Sequence, residues 1–222
     1  MAAADPSLSL LAYGDVVAGC ERCALAATRT QVVFGSGSPH ADLMFVGEAP
    51  GFHEDKQGVP FVGAAGKLLS KLLEGIGMTR EDVYVANTVK CRPPGNRDPL
   101  PGEIESCESH LFKQIELIQP KVIATLGNFA TKLLSGKPDG ITRVHGVPQD
   151  VVLGGNKVLL FPIFHPAAAL YTPRMLDVLE ADFRRLPDIL GTAIEHPPAE
   201  VPAAALASPA PSAEVPTQLG LF

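Results

Sequence analysis

Apolar residues along the chain fall into two rhythms. Short compact runs, Asp42-Leu-Met-Phe-Val-Gly47, Val83-Tyr-Val-Ala-Asn87, Val122-Ile-Ala-Thr-Leu126 and Lys157 to Phe164, read as buried strands. Between them the spacing lengthens to that of a helix. Ala64 to Ile76 carries Leu68, Leu69, Leu72, Leu73 and Ile76 on one face. Glu103 to Ile118, stopped near Pro120, Asn128 to Leu134, and Met175 to Leu190 read the same way, and residues 7–19 form a short helix leading into Cys20 and Cys23. Strands alternating with helices predict an α/β fold of three layers: a central, mostly parallel four-stranded sheet flanked by helices. In such sheets the ligand site lies outside the carboxyl ends of the strands. Glu48, Asn87 and His165 all sit at or just after a strand end.

The pattern stops near Gly191. From His196 to Thr217 there are 13 Ala or Pro in 22 residues, with no Lys, Arg or aromatic residue. Such a stretch buries too little apolar surface to offset its ordering entropy. The expected organisation is therefore a folded domain over 1–190, a disordered linker over 191–217 and a terminal peptide over 218–222. No apolar run is long enough to span a bilayer. The first residues lack the basic start of a signal peptide, so the expected location is the cytoplasm and no membrane partner is expected.

The chain of 222 residues has a formal net charge of −6, which does not announce a nucleic-acid binder. Phosphate contact depends on local charge, however, and Lys67 with Lys71, the stretch Lys90 to Arg97, and Arg143 form basic clusters.

The four cysteines are Cys20 and Cys23 in a CxxC, then Cys91, then Cys107 after 15 intervening residues. Cytosolic proteins seldom spend cysteines on disulfides. Two pairs can wrap one metal centre, zinc or iron–sulfur, and spacing alone does not choose between them. Four unrelated buried cysteines are the bland alternative.

Three motifs join them: Gly47-Glu-Ala-Pro-Gly51, continuing through Glu54-Asp55 and Gly58 to Pro60-Phe-Val-Gly63; Asn87-Thr-Val-Lys-Cys91-Arg-Pro-Pro-Gly-Asn-Arg97; and Phe164-His165-Pro166-Ala167. Each alone is weak. Together, in this order and with the cysteines, they closely resemble the family 4, iron–sulfur uracil-DNA glycosylases over residues 15 to 190. That resemblance implies a repair hydrolase that cleaves the bond between uracil and deoxyribose. It also implies a 4Fe–4S cluster on Cys20, Cys23, Cys91 and Cys107, favouring iron–sulfur over zinc.

The resemblance assigns roles that the chemistry explains. Uracil must leave the duplex to be reached. Phe61 is the expected stacking platform for the flipped ring. Asn87 can donate to O4 and accept from N3–H, mismatching the amino group of cytosine. His165 is expected to donate to O2, where negative charge grows as the base departs. The backbone at Ala49 to Gly51 contributes further base contact. The best-known uracil glycosylases carry an aspartate where this chain has Ala49, so the acid work is displaced. Glu48 is the first candidate for the water, with Glu54 and Asp55 behind it. Leu170, with Tyr171 beside it, is the expected wedge that fills the vacated stack, in a loop after the His-Pro motif. Arg92, Arg97 and Arg174 are candidate phosphate contacts. His145 stands where relatives often have arginine.

Two readings from other classes compete with a turnover hydrolase acting as a monomer on single- or double-stranded uracil-containing DNA. One is a non-catalytic binder of uracil-containing DNA, favoured by Ala49 and the negative charge. Its covalently trapping form needs an inserted basic loop with a histidine between Cys91 and Cys107, where this chain has Pro-Pro-Gly-Asn-Arg-Asp-Pro. The other is a zinc-stabilised hydrolase of another nucleobase. Finally, Gln218-Leu219-Gly220-Leu221-Phe222 resembles the peptide by which bacterial repair proteins bind the sliding clamp, with Gln218 fixing register and Leu219, Leu221 and Phe222 filling the pocket.

Overall fold

The computed structural model describes residues 5–195. Most of the expected linker, from His196 on, and the peptide Gln218 to Phe222 lie outside the described residues. Six strands form one sheet: β1 (Ser36–Gly37), β2 (Leu43–Gly47), β3 (Tyr84–Asn87), β4 (Val122–Leu126), β5 (Gln149–Leu153) and β6 (Asn156–Ile163). Their order is β1-β3-β2-β4-β6-β5. The four strands expected from the sequence make the parallel centre. The count of four was short by two, because β1 and β5 add antiparallel edges.

Period-two alternation divides each central strand between two cores. Leu43 and Phe45, Val85, Val122 and Ala124, and Phe161 and Ile163 face one side. Against them pack Leu69, Leu72 and Leu73 of α3 (Ala64–Glu74) and Leu179, Phe183 and Leu186 of α8 (Arg174–Glu195). Met44 and Val46, Tyr84 and Ala86, Ile123, and Val158 and Leu160 face the other. There they meet α1 (Pro6–Ala18), α4 (Pro101–Ile118) and α5 (Asn128–Ser135). Both faces being covered explains why the strands read as continuous apolar runs. Phe45 and Phe183 stack with centroids 5.6 Å apart, and each such buried side chain contributes about 1.5–3 kcal/mol.

Among the described residues there are also three short α-helices, α2 (Phe52–Gln57), α6 (Ile141–Val144) and α7 (Ala167–Tyr171), and two 3-10 turns at Ala24–Ala27 and Pro94–Asn96. The segment after the His-Pro motif, expected as a loop, is thus the helix α7. The last helix does not stop at Leu190 but runs on to Glu195, with Ala193 buried. No described helix is long and apolar enough to cross a membrane.

The chain visits β3 on one side of β2 and then β4 on the other. That reversal opens a crevice at the carboxyl ends of the strands. Glu48, Asn87 and His165 are delivered to it.

Candidate active site and cysteine centre

A pocket of about 1000 Å³, including its open mouth, lies at those strand ends. It brings together Glu48, Ala49, Gly51, Glu54, Phe61, Asn87, Arg97, His165 and Tyr171. Motif residues with no expected role also line it, Pro93, Asn96 and Ala167 among them. Asp55, Arg92, Leu170 and Arg174 do not.

Phe61 has a backbone φ of 55°, in the left-handed region. A non-glycine residue held there costs on the order of 1–3 kcal/mol and persists only when its neighbours enforce it. Arg80 does so from one side, donating from Nη2 to the Pro60 carbonyl at 2.8 Å. Glu54 does so from the other. Its Oε1 accepts from the Val62 and Gly63 amides at 3.0 and 2.8 Å, which also satisfies the start of α3. Gly66 lets α3 approach, since a Cβ there would lie 1.8 Å from the Phe61 carbonyl oxygen. The ring so placed stacks against His165, with centroids 5.5 Å apart.

His165 accepts a hydrogen bond at Nδ1 from the Ala167 amide, at 3.2 Å. That fixes the neutral tautomer with its proton on Nε2. Burial drives its pKa down to about 4, against a small upward pull from Glu54. The group is therefore a neutral N–H donor near pH 7.

Asn87 is 2% exposed, and its Oδ1 is buried without a hydrogen-bond partner. An orphaned acceptor costs about 1–3 kcal/mol and calls for an explanation. Glu48 has its carboxyl pushed up to about 7, by burial first and then by the charge of Asp98. The ends of β2 and β3 are laced together, with Thr88 and Val89 donating their amides to the carbonyls of Gly47 and Glu48.

Other expected residues are otherwise engaged. Asp55 is 2% exposed and accepts from the Thr30 amide at 2.8 Å. It is outside the pocket, so it has no access to a water there. Arg97 grips Glu103 through both nitrogens, at 2.9 and 2.6 Å. Glu103 in turn accepts from the Leu100 amide and caps α4. Arg92 donates to Asn96 Oδ1 at 2.6 Å and lies 5.2 Å from the centroid of the exposed Phe52 ring. Leu170 and Tyr171 are both exposed on α7, but Tyr171 is the one that reaches the pocket. His145 sits behind Phe164, its centroid 4.5 Å away, with Nδ1 3.5 Å from the buried Asp182.

The four cysteines line a second hollow, of about 280 Å³ including its open mouth. N–H donors face the sulfurs. The Lys90 amide is 3.3 Å from Cys107 Sγ, Arg29 Nη1 is 3.5 Å from Cys91 Sγ, and His110 Nε2 is 3.3 Å from Cys20 Sγ. His110 is held at its other nitrogen by the Tyr13 hydroxyl at 2.7 Å. As free thiols, Cys91 is pushed up to about 11 and Cys107 also upward, both mainly by burial. Among the described residues, no group of three or more His, Cys, Asp or Glu is drawn together tightly enough to hold one metal ion.

A family model described as the Uracil DNA glycosylase superfamily matches residues 34–186. The chain is 46% identical over 179 residues to a type-4 uracil-DNA glycosylase of Archaeoglobus fulgidus, covering 79% of this chain and 90% of that protein. It is 47% identical over 191 residues to the type-4 enzyme of Saccharolobus solfataricus, covering 84% and 88%. With that of Thermotoga maritima it shares 51% over 152 residues, covering 68% and 78%.

Proposed function

The chain belongs to the uracil DNA glycosylase superfamily and, within it, to the type-4 uracil-DNA glycosylases, and we propose from that premise that it flips uracil out of DNA and hydrolyses its glycosidic bond. The observation that carries this reading is the unpaired Asn87 Oδ1, in one pocket with the Phe61 ring and a neutral histidine.

In this reading uracil stacks on Phe61. Asn87 Oδ1 accepts its N3–H while Nδ2 donates to O4. Cytosine presents an acceptor and an amino group at those places and is rejected, because buried polar groups would be left unpaired. As the bond to the sugar breaks, charge collects on uracil O2, where the Nε2–H of His165 stabilises it. A neutral donor needs no proton transfer to do so. Glu48 supplies the carboxylate for the sugar side, orienting water or opposing the positive charge on the ring. Glu54 lines the pocket, but one of its oxygens is committed to two amides. Tyr171 serves as the wedge with Leu170, and Arg92 and Arg174 face phosphates. Alkali treatment of a uracil-containing oligonucleotide after incubation tests the reading. Strand cleavage at the uracil is expected, and an intact strand with tight binding would favour the non-catalytic alternative.

Glu48 gives the reaction a pH signature. Its carboxyl is held up at about 7, so the carboxylate predominates only above that pH. The single-turnover rate should therefore rise with pH through about 7 and level off. Glu48→Gln should lower the plateau on the order of 10²-fold and remove the rise. A variant as fast as the parent at every pH would shift the role to Glu54.

The cysteine cavity suits a 4Fe–4S cluster. Four thiolates on one zinc stand about 3.8 Å apart, given Zn–S bonds of about 2.3 Å. The four cysteines line one cavity but are not drawn together around a single ion, and the Lys90 amide and Arg29 donate towards two of the sulfurs, which supports a polynuclear centre. Once bound, it supplies a rigid tie between the end of α1, the segment after β3, and α4. Hydrolysis consumes no electron. Iron and sulfide analysis of the purified protein tests this.

The peptide Gln218 to Phe222 fits a sliding-clamp pocket, joined by a tether of 22 residues. Such a tether reaches roughly 25 Å as a coil and about 70 Å fully extended as polyproline II. It raises local concentration near new DNA without touching the active site. Truncation after Thr217 should abolish clamp binding and leave excision from a short oligonucleotide unchanged. Equal clamp binding by both proteins ends the idea.

A further inference from the structure

Lys90 lines the cysteine cavity and also bonds the backbone of Asn87, a residue of the active-site pocket. It is 1% exposed. Its ammonium donates to the Asn87 carbonyl oxygen at 2.9 Å and to Gln114 Oε1. Gln114 is itself held, donating to the Phe34 carbonyl at 2.9 Å and the Tyr84 hydroxyl at 3.1 Å. At its other end, the Lys90 amide donates to Cys107 Sγ, and the residue lines the cysteine cavity.

A buried ammonium is costly unless a negative charge compensates it. Among the described residues no carboxylate forms an ion pair with Lys90. Its amide reaches Cys107 Sγ while its ammonium reaches the Asn87 carbonyl, so this one residue spans from the cysteine cavity to the end of β3. The same lysine grips the peptide that carries the base-reading carboxamide. Two constraints thus meet at Asn87: β2 and Thr88 hold its strand end, and Lys90 holds its carbonyl.

We propose that Lys90 is a positioning residue through which the cysteine centre fixes the carboxamide of Asn87 for reading uracil. The proposal rests on the assignment of Asn87 given above. The centre contributes place, and the lysine carries it to the peptide three residues back. Catalytic geometry tolerates little slack, and a displacement of about 1 Å can cost on the order of 10²-fold. An uncharged side chain of similar length keeps the packing and gives up the bond.

The test uses the full-length protein with its metal centre as purified. Parent, Lys90→Met and Asn87→Ala are compared by iron content, visible absorbance and equilibrium affinity for two oligonucleotides. One carries a 2′-fluorinated deoxyuridine, which resists cleavage. The other carries a tetrahydrofuran abasic analogue in the same place. Lys90→Met should keep its iron and absorbance and bind the abasic oligonucleotide like the parent. Its preference for the uracil oligonucleotide should fall roughly tenfold to a hundredfold, the usual range for a lost bond to a charged group. Asn87→Ala should lose the same preference. Full preference in iron-replete Lys90→Met, alongside a loss in Asn87→Ala, overturns the role of Lys90 alone. Full preference in Asn87→Ala overturns the reading of Asn87 and the proposal with it. If Lys90→Met loses its iron, Gln114→Leu decides, since it deletes one of the two acceptors and leaves the lysine in place. A partial loss of preference with normal iron supports the coupling, and an unchanged preference overturns it.

Discussion

His165→Ala should slow uracil release on the order of 10²- to 10³-fold in single turnover, the usual cost of removing one preorganised donor to a developing anion. Binding of abasic DNA should stay within about threefold, because the donor acts mainly as charge develops. The pH profile adds a second check. Burial holds the imidazole pKa down at about 4, so the ring is neutral at pH values well above that. Its contribution should therefore be flat there. The rising limb near 7 belongs to Glu48 and should survive in His165→Ala, at a lower plateau. A rate that instead fell as pH rose from 4 would mean that imidazolium is the active form. A His165→Ala rate within a few fold of the parent would remove His165 from the mechanism.

Gly47→Ala should be nearly as damaging, although glycine has no side chain to lose. A Cβ at Gly47 would lie 2.5 Å from Phe61 Cζ and 2.6 Å from Asn87 Oδ1. Something must move, and both neighbours are the groups assigned above to the base in the proposed function. Phe61 cannot retreat easily, because its backbone is clamped by Arg80 and Glu54 and its carbonyl abuts Gly66. The expected result is a loss of at least about 10²-fold in single-turnover rate. Overpacking of this kind costs about 1–3 kcal/mol of stability, so the fold should survive with a lowered melting temperature. Gly102→Ala is the control. Nothing lies within 4 Å of a Cβ there, and its rate and melting temperature should match the parent. An active Gly47→Ala protein would show that the pocket is softer than its contacts indicate.

The central sheet and its large helices were legible because burial on both sides leaves an unbroken apolar signature in β2, β3, β4 and β6. The edges were not. β1 is two residues long, below any periodicity. β5 did carry a signal, since Gly154-Gly155 sits between Val-Val-Leu and Asn-Lys-Val. Both glycines have positive φ, 58° and 81°, as a tight hairpin requires. The helices α2, α6 and α7 are too short to show a face. At the site, motif order picked out residues that share one pocket, but not which charges are already spent. Asp55, Arg97 and one oxygen of Glu54 are committed to amides or to Glu103, partnerships that depend on how loops meet. Lys90 falls within the basic cluster running to Arg97, because a lysine next to a cysteine reads as surface charge until its burial is known, and at 1% exposure it cannot meet phosphate.

The placement of α1 bears on how the protein matures. This helix buries little of its own surface, with only Leu10 and Val17 enclosed and Leu8, Leu11 and Val16 exposed. Its attachment leans on the Tyr13–His110 bond and on Cys20 and Cys23 at its far end. The cysteines it must meet lie far along the chain, one after β3 and one within α4. Closing that span is the kind of long-range step that comes late in folding, after local contacts have formed. Capture of the N-terminal segment is therefore expected to follow assembly of the sheet with its nearer helices. With the iron–sulfur group proposed above, that late step would draw on iron and sulfide as well as on the burial of Leu10 and Val17.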